Sequence, residues 1–134
     1  MTAPLIKRLI EELAYPTVNA NTLEPMIANN EHLVLFFPGD AKRYPETNDV
    51  AVILPELIEA YKDILSPAVV LAEDEAPLKE RYQFNVWPTL VFLRRGVQLG
   101  SISKVKDWSD YIEKINTLLS EDIQPEQAIP SITL

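Results

Sequence analysis

A charged stretch follows the first strongly apolar run of the chain and holds the residue types best suited to recognition chemistry. It runs from Asp40 to Asp49 and includes Lys42, Arg43 and Glu46. Its carboxylates and its cations can pair with one another or with charged groups of a partner protein. Because loops on a scaffold commonly carry binding residues, the stretch is a candidate recognition loop. The alternative is a solvated loop whose charges satisfy one another and cap the next helix.

Composition excludes several other kinds of chemistry. The chain has no cysteine, and therefore no thiolate nucleophile, disulfide or cysteine-ligated metal. The single histidine, His32, cannot form a two-histidine metal site and is interpreted as an exposed loop residue. The acidic run Glu73–Glu75 lacks the spaced ligands of a calcium loop and is predicted to be a solvated turn. We therefore predict no catalytic residue, no metal and no cofactor.

Charge and length constrain the partners and the architecture. The 134 residues carry a formal net charge of -8, which disfavours nucleic acid because phosphate binding needs clustered Lys and Arg but permits a basic partner. No apolar run reaches the roughly 20 residues that span a bilayer, and the N-terminus lacks the apolar core of a secretory signal, so we expect a cytoplasmic protein without membrane insertion. We expect one domain over residues 1–120 and a loosely held tail over 121–134.

Hydrophobic periodicity predicts alternating helices and strands along this domain. The spacing over residues 5–13 is helical, and Asn21 followed by Glu24 resembles a capping box that begins a second helix. Short, continuous apolar runs predict buried strands at 33–37, 68–72 and 89–93. A further helix is expected from its cap at Asp49, with a kink at Pro55.

The last part of the domain is predicted to be a hairpin followed by a helix. Only Arg94–Gly96 separate the third strand from a fourth over 97–103, which indicates an antiparallel pair. The final helix begins near Asp107 and is expected to bury Trp108 together with Tyr111, Ile112, Ile115, Leu118 and Leu119. This order of elements predicts an α/β fold of three layers, with a mixed central sheet flanked by helices.

The element order and the segment Val86-Trp87-Pro88-Thr89-Leu90-Val91-Phe92 resemble thioredoxin. Members of that superfamily enter a main strand through a hydrophobic residue, any residue, a cis-proline and a threonine. Thioredoxins also place Cys-x-x-Cys directly after the strand that corresponds to 33–37. Here that place holds the longer, cysteine-free stretch Asp40–Asp49, so thiol–disulfide chemistry is excluded on this thioredoxin-like scaffold.

The stretch itself resembles one branch of the superfamily, the hydrogenase expression proteins HyaE and HupG. They carry a similar Asp-x-Lys-Arg-x-Pro-Glu-x-x-Asp pattern, which is matched here by Asp40, Lys42, Arg43, Pro45, Glu46 and Asp49. The resemblance implies a non-catalytic accessory chaperone for nickel–iron uptake hydrogenase. Such a protein is expected to bind the small-subunit precursor through its twin-arginine signal peptide. The candidate partners of the peptide's guanidinium groups are then the carboxylates of Asp40, Glu46 and Asp49, since planar bidentate pairs fit arginine well.

Trp87 and Pro88 complete the predicted partner-binding residues. In thioredoxin-like proteins, the residue before the cis-proline pairs with an extended peptide through main-chain hydrogen bonds, a mode that tolerates many peptide sequences. The alternative is structural: Pro88 shapes the turn and Trp87 packs.

Two other functions remain open on the sequence alone. The chain could be a redox-inactive structural or oligomerisation subunit of another complex, and the sequence permits an oligomer. It could also be an enzyme that uses carboxylates for acid–base work, although no nucleophile, metal set or cofactor motif accompanies them.

Overall fold

Helices and strands alternate along the chain in the computed structural model, which describes the backbone of residues 3–132 and the side chains of residues 3–120. The order is α1 (Pro4–Glu11), α2 (Leu23–Asn29), β1 (His32–Phe37), α3 (Glu46–Ala60), β2 (Leu65–Val69), α4 (Glu75–Tyr82), β3 (Thr89–Arg94), β4 (Val97–Ser103) and α5 (Trp108–Ile132). One turn of 3-10 helix, Ala72–Asp74, leads into α4.

The strands form a mixed sheet in the order β2-β1-β3-β4. β1 runs parallel to β2 and antiparallel to β3, while β3 and β4 form an antiparallel hairpin. Thr17 adds a single parallel bridge to Val69 at the outer edge of β2. The mixed sheet is confirmed, because the crossover through α3 makes one pair parallel and the tight turn makes another antiparallel.

Apolar side chains on the two faces of β1 hold the layers together. Val34 and Phe36 point into a core shared with α1, α3 and α5, whereas Leu33, Leu35 and Phe37 point into a core on the other face. Because successive side chains of a strand alternate between faces, a continuous apolar run requires cover on both sides. The three-layer α/β fold is therefore confirmed.

The predicted capping box at the start of α2 is wrong. Thr22 is the residue before the helix, and Asn19 rather than Asn21 supplies the oxygen: its Oδ1 accepts the N–H groups of Asn21 at 2.8 Å and Thr22 at 3.1 Å. Glu24 turns outward to Arg81, with 2.9 Å between Oε2 and Nη1. Glu24 therefore forms a tertiary ion pair with Arg81 instead of capping α2.

α3 begins at Glu46, three residues earlier than predicted. Pro45 precedes the helix, and Asp49 lies in the first turn instead of at the cap. A proline fits a helix start because its φ is already helical and its missing N–H would have had no partner there. The helix then continues through Pro55 to Ala60.

β2 and two side chains also depart from the prediction. β2 begins at Leu65 rather than Ala68, since its register with β1 starts at His32 opposite Leu65. His32 is consequently a half-buried strand residue and not an exposed loop residue. Trp108 is 47 % exposed, because it opens α5 before the helix comes against the sheet, and the buried side of that helix starts at Tyr111.

The backbone of α5 is helical to Ile132, across most of the predicted tail. The tail's packing lies outside the described residues, since no side chain beyond Ser120 is described, so a loosely held tail stays a prediction. Within residues 3–132, no helix has the length and apolar character needed to cross a membrane.

Candidate functional site

The loop between β1 and α3 is folded by Asp40. The Asp40 carbonyl accepts the N–H groups of Arg43 at 3.0 Å and Tyr44 at 2.8 Å, and its Oδ1 accepts the Lys42 N–H at 3.0 Å. At the base of the loop, the buried Thr47 hydroxyl donates to the Pro38 carbonyl. The charged stretch is therefore an ordered turn that keeps the Asp40 carboxylate exposed on its surface.

Aromatic side chains pack this loop against the segment that enters β3. The Tyr44 and Trp87 rings stack with centroids 5.5 Å apart and an interplanar angle of 27°. Phe84 contacts Trp87 edge-on at 5.7 Å. The peptide bond between Trp87 and Pro88 is cis, and the buried Pro88 carbonyl accepts the Lys104 N–H at 2.7 Å.

Gly39 makes this close approach possible. Its φ is +69°, and a Cβ at that position would lie 2.8 Å from Trp87 Cδ1 and 3.0 Å from Tyr44 Cδ2. A side chain there would carry backbone strain and would overlap both rings. Glycine is therefore required where the loop passes beneath the stacked rings.

Glu75 belongs to this candidate site, although the local sequence patterns did not single it out. It lies at the start of α4 with only 7 % of its surface exposed. Its Oε2 accepts the Gly39 N–H and its Oε1 accepts the Trp87 Nε1–H, both at 2.9 Å. One carboxylate thus joins the charged loop to the indole ring beside it.

The predicted solvated turn at Glu73–Glu75 is accordingly wrong for Glu75, whereas Glu73 is exposed. Burial raises the pKa of the Glu75 carboxyl above its usual value, and the hydrogen bonds from Gly39 and Trp87 oppose that rise. Local patterns held one signal for it: an acidic residue commonly follows this strand in thioredoxin-like proteins. Its two partners, however, lie 36 and 12 residues away along the chain.

Glu46 faces away from the loop's exposed edge. Its Oε1 accepts the Val105 N–H at 2.8 Å, and its Oε2 lies 3.6 Å from Lys104 Nζ. The hydrogen bond from Val105 lowers the pKa of the Glu46 carboxyl below its usual value, and the charges of Lys104 and Lys106 lower it further. Glu46 therefore ties the start of α3 to the segment after β4, while Asp49, one turn on, is exposed.

Two cations flank the stacked rings. The Arg43 guanidinium lies 5.4 Å from the centre of the Tyr44 ring, and Lys79 Nζ lies 5.4 Å from the centre of the Trp87 ring. Within the described part of the chain, neither cation has a carboxylate within ion-pair distance; the recorded pairs involve other cations. The sequence-predicted Asp40, Lys42, Arg43, Trp87 and Pro88 thus come together around one loop, and Pro45, Glu46 and Asp49 follow at the start of α3.

A groove of about 750 Å³ lies on another side of the same loop. It runs between the start of α1 and the segment after β2, and its lining includes Pro4, Ile6 and Leu71 together with Asp40, Lys42 and Glu73. Among the residues that the structure describes, no group of three His, Cys, Asp or Glu side chains could hold a metal ion. The groups presented around the loop are Asp40, Glu73 and Lys42 beside a partly apolar groove, and two cations beside an aromatic pair.

Comparison with known proteins shows the class and then the family. The fold resembles a thioredoxin from Halobacterium salinarum (TM-score 0.65, 16 % identity), covering 78 % of this chain and 88 % of that chain. A thioredoxin-like domain without cysteine is thus the class that fold and site define. Residues 5–111 match the model of the family described as Hydrogenase-1 expression protein HyaE. The chain belongs to this HyaE family.

Named relatives agree with that membership. The chain is 44 % identical to the hydrogenase expression/formation protein HoxO of Azotobacter vinelandii, over 99 % of this chain and 89 % of the relative. It is 39 % identical to HupG of Rhizobium leguminosarum bv. viciae, over 92 % of this chain and 85 % of the relative. A crystal structure of a HupG protein from Rhodopseudomonas palustris matches with 42 % identity and a TM-score of 0.58, covering 82 % of this chain and 99 % of that one.

Proposed function

We propose that this protein is a non-catalytic accessory protein of nickel–iron uptake hydrogenase maturation that binds the small-subunit precursor through its twin-arginine signal peptide. Membership of the HyaE family supports an accessory role in hydrogenase maturation. The observation that carries the peptide-binding part is the groove beside Asp40, which combines an apolar lining with carboxylates. Such a lining suits a segment that carries arginines next to apolar residues.

Carboxylates supply the arginine recognition in this proposal. Asp40 and Glu73 are both exposed and both line the groove, and Asp49 is exposed nearby at the start of α3. Planar guanidinium groups suit bidentate pairing with carboxylates, which lysine cannot reproduce. Glu46 has a positioning role instead, because both of its oxygens already face Val105 and Lys104.

The main chain of Trp87 supplies a second, sequence-tolerant contact. Among the described residues, its backbone N–H and C=O take part in no backbone–backbone hydrogen bond, which leaves both groups available to an extended peptide. Pairing of this kind gives affinity without side-chain selectivity, so the arginine contacts would provide the specificity.

A peptide titration tests the proposal. Fluorescence anisotropy of a labelled twin-arginine signal peptide should show saturable binding that weakens with salt and with replacement of both arginines by lysine. Asp40→Asn and Glu73→Gln should each raise Kd by about two- to tenfold, since each removes one charge-assisted contact.

The matched control is Glu56→Gln, which removes an exposed carboxylate in the C-terminal half of α3 and should leave Kd unchanged. Absence of binding to either peptide would contradict signal-peptide recognition and would leave the accessory role without this mechanism.

A further inference from the structure

Opposite charges are arranged on different sides of the β1–α3 loop. The groove side carries Asp40 and Glu73 together with the single cation Lys42, whereas the aromatic side carries Arg43 and Lys79 over the Tyr44 and Trp87 rings. We propose that the aromatic side is a second docking surface, which takes a carboxylate-bearing segment of the folded part of the client while the groove takes the cationic signal peptide. This inference rests on the proposed function for the identity of the client.

The first argument is that the two cations are uncompensated. Arg43 and Lys79 are among the six of the twelve basic residues that have no carboxylate within ion-pair distance in the described part of the chain; the paired six are Lys7, Arg8, Arg81, Arg94, Arg95 and Lys104. Arg43 and Lys79 instead contact only aromatic rings among the recorded charge interactions. Glu75, the carboxylate that accepts the Trp87 indole N–H, is buried and has both oxygens occupied by N–H donors. The charge of the two cations is therefore available to an outside anion.

The second argument is that the rings hold the cations in place. A cation over an aromatic face keeps its outward N–H donors while losing part of its conformational freedom to the ring contact. Trp87 is itself held by the Glu75 hydrogen bond and the contacts of Tyr44 and Phe84. Pairing a carboxylate with Arg43 or Lys79 would thus cost less side-chain conformational entropy, because the ring contact already restricts the donor in the free protein.

The third argument concerns which partner fits. A guanidinium from outside would meet two like charges over these rings, whereas the groove offers Asp40 and Glu73 against the single cation Lys42, so the groove suits the signal-peptide arginines better. A nucleic acid or an anionic bilayer would meet a chain of net charge -8, whose repulsion two local cations cannot offset. A short acidic segment of a protein supplies the opposite charge to these cations without the extended negative charge of a nucleic acid or a bilayer.

The test uses two probes with the full-length protein: the signal peptide alone, and the small subunit lacking its signal peptide. Binding of the truncated subunit is measured by isothermal titration or interferometry. Arg43→Gln and Lys79→Gln should each raise its Kd by about three- to tenfold and reduce the dependence of Kd on salt. The same variants should leave signal-peptide binding unchanged or tighter, and Lys79→Arg should retain binding of the truncated subunit.

Lys62→Gln is the matched control, because Lys62 is exposed just beyond α3. Near-ultraviolet circular dichroism establishes that each variant keeps the aromatic packing. Two results would overturn the inference: no binding of the truncated subunit to the wild type, or binding that both glutamine variants leave within twofold. Since the signal peptide is titrated separately, either result leaves the proposed function standing, whereas loss of peptide binding alone contradicts that function and not this surface.

Discussion

Glu75 shows how one side chain can organise a surface to which it contributes almost no area. Its two oxygens hold the Gly39 N–H and the Trp87 indole N–H, and Gly39 in turn admits the stacked rings above it. A thioredoxin scaffold would carry its thiol pair in this region. Here hydrogen bonds and ring packing order the loop instead.

At the residue scale we predict that Glu75→Ala destabilises the protein and loosens Trp87. Removing the carboxylate leaves two part-buried N–H donors without their acceptor, which costs about 1–3 kcal/mol in the free energy of unfolding. Urea unfolding should measure that loss, and near-ultraviolet circular dichroism should report the change around Trp87. Glu73→Ala, an exposed neighbour on the same turn, should change stability by no more than about 0.5 kcal/mol. Equal effects of the two substitutions would refute the role assigned to Glu75.

Between elements, Glu46 joins the start of α3 to the segment that follows β4. This contact spans 59 residues of sequence and is made by a residue of the predicted recognition stretch. The physical consequence is that part of the stretch is structural. Substitutions at Glu46 are therefore expected to act on stability, and on binding only through the position of the loop.

At the element scale we predict a specific pH dependence for the Glu46 contact. The folded-state pKa of Glu46 is lowered, so its contribution to stability is present above the unfolded pKa and is lost as pH falls through the folded pKa. Glu46→Gln should therefore lower the urea midpoint at pH 7, and its difference from the wild type should shrink on acidification below about 4, near and under the usual glutamate range.

The wild type is compared with Glu46→Gln because Glu75 changes the stability of the protein with pH in the opposite direction. The folded-state pKa of Glu75 is raised, so the pH-dependent part of its contribution is present below the unfolded pKa and is lost as pH rises through the folded pKa, whereas its hydrogen bonds to Gly39 and Trp87 still favour the folded state. The pH dependence of wild-type stability alone therefore combines the contributions of Glu46 and Glu75. Glu56→Gln serves as the control for a carboxylate on the same helix. If the difference in urea midpoint between the wild type and Glu46→Gln stays constant between pH 7 and pH 3, that result argues against the contact.

For the whole molecule, the thioredoxin-like fold is used without thiol chemistry, because the chain has no cysteine. We predict that the protein reduces insulin disulfides no faster than buffer with dithiothreitol, while a thioredoxin assayed in parallel accelerates the reaction. Its thermal midpoint should be the same with and without dithiothreitol. Acceleration above the buffer rate, or a shift of the midpoint, would contradict this prediction.

The fold could be predicted well wherever local chemistry decides it. β4 begins and ends as predicted because Arg95 and Gly96, both at positive φ, form a tight turn that sets the hairpin. The predicted start of β2 was too late in the sequence. Pro67 suggests a strand boundary, but a proline is tolerated in this strand because it lies at the edge of the sheet. Local patterns thus predicted the elements, and pairing decided their ends.

By itself, the sequence determined what this protein lacks and the order in which its elements are built: no thiol, an apolar central strand and a charged stretch directly after it. Only the tertiary structure decided which of those charges remain available. It buries Glu75 under Trp87, turns Glu46 toward Val105, and leaves Asp40 and Arg43 exposed. The physical reason is that periodicity and turn chemistry act between near neighbours, whereas the partners of a buried carboxylate come from elements far apart in sequence.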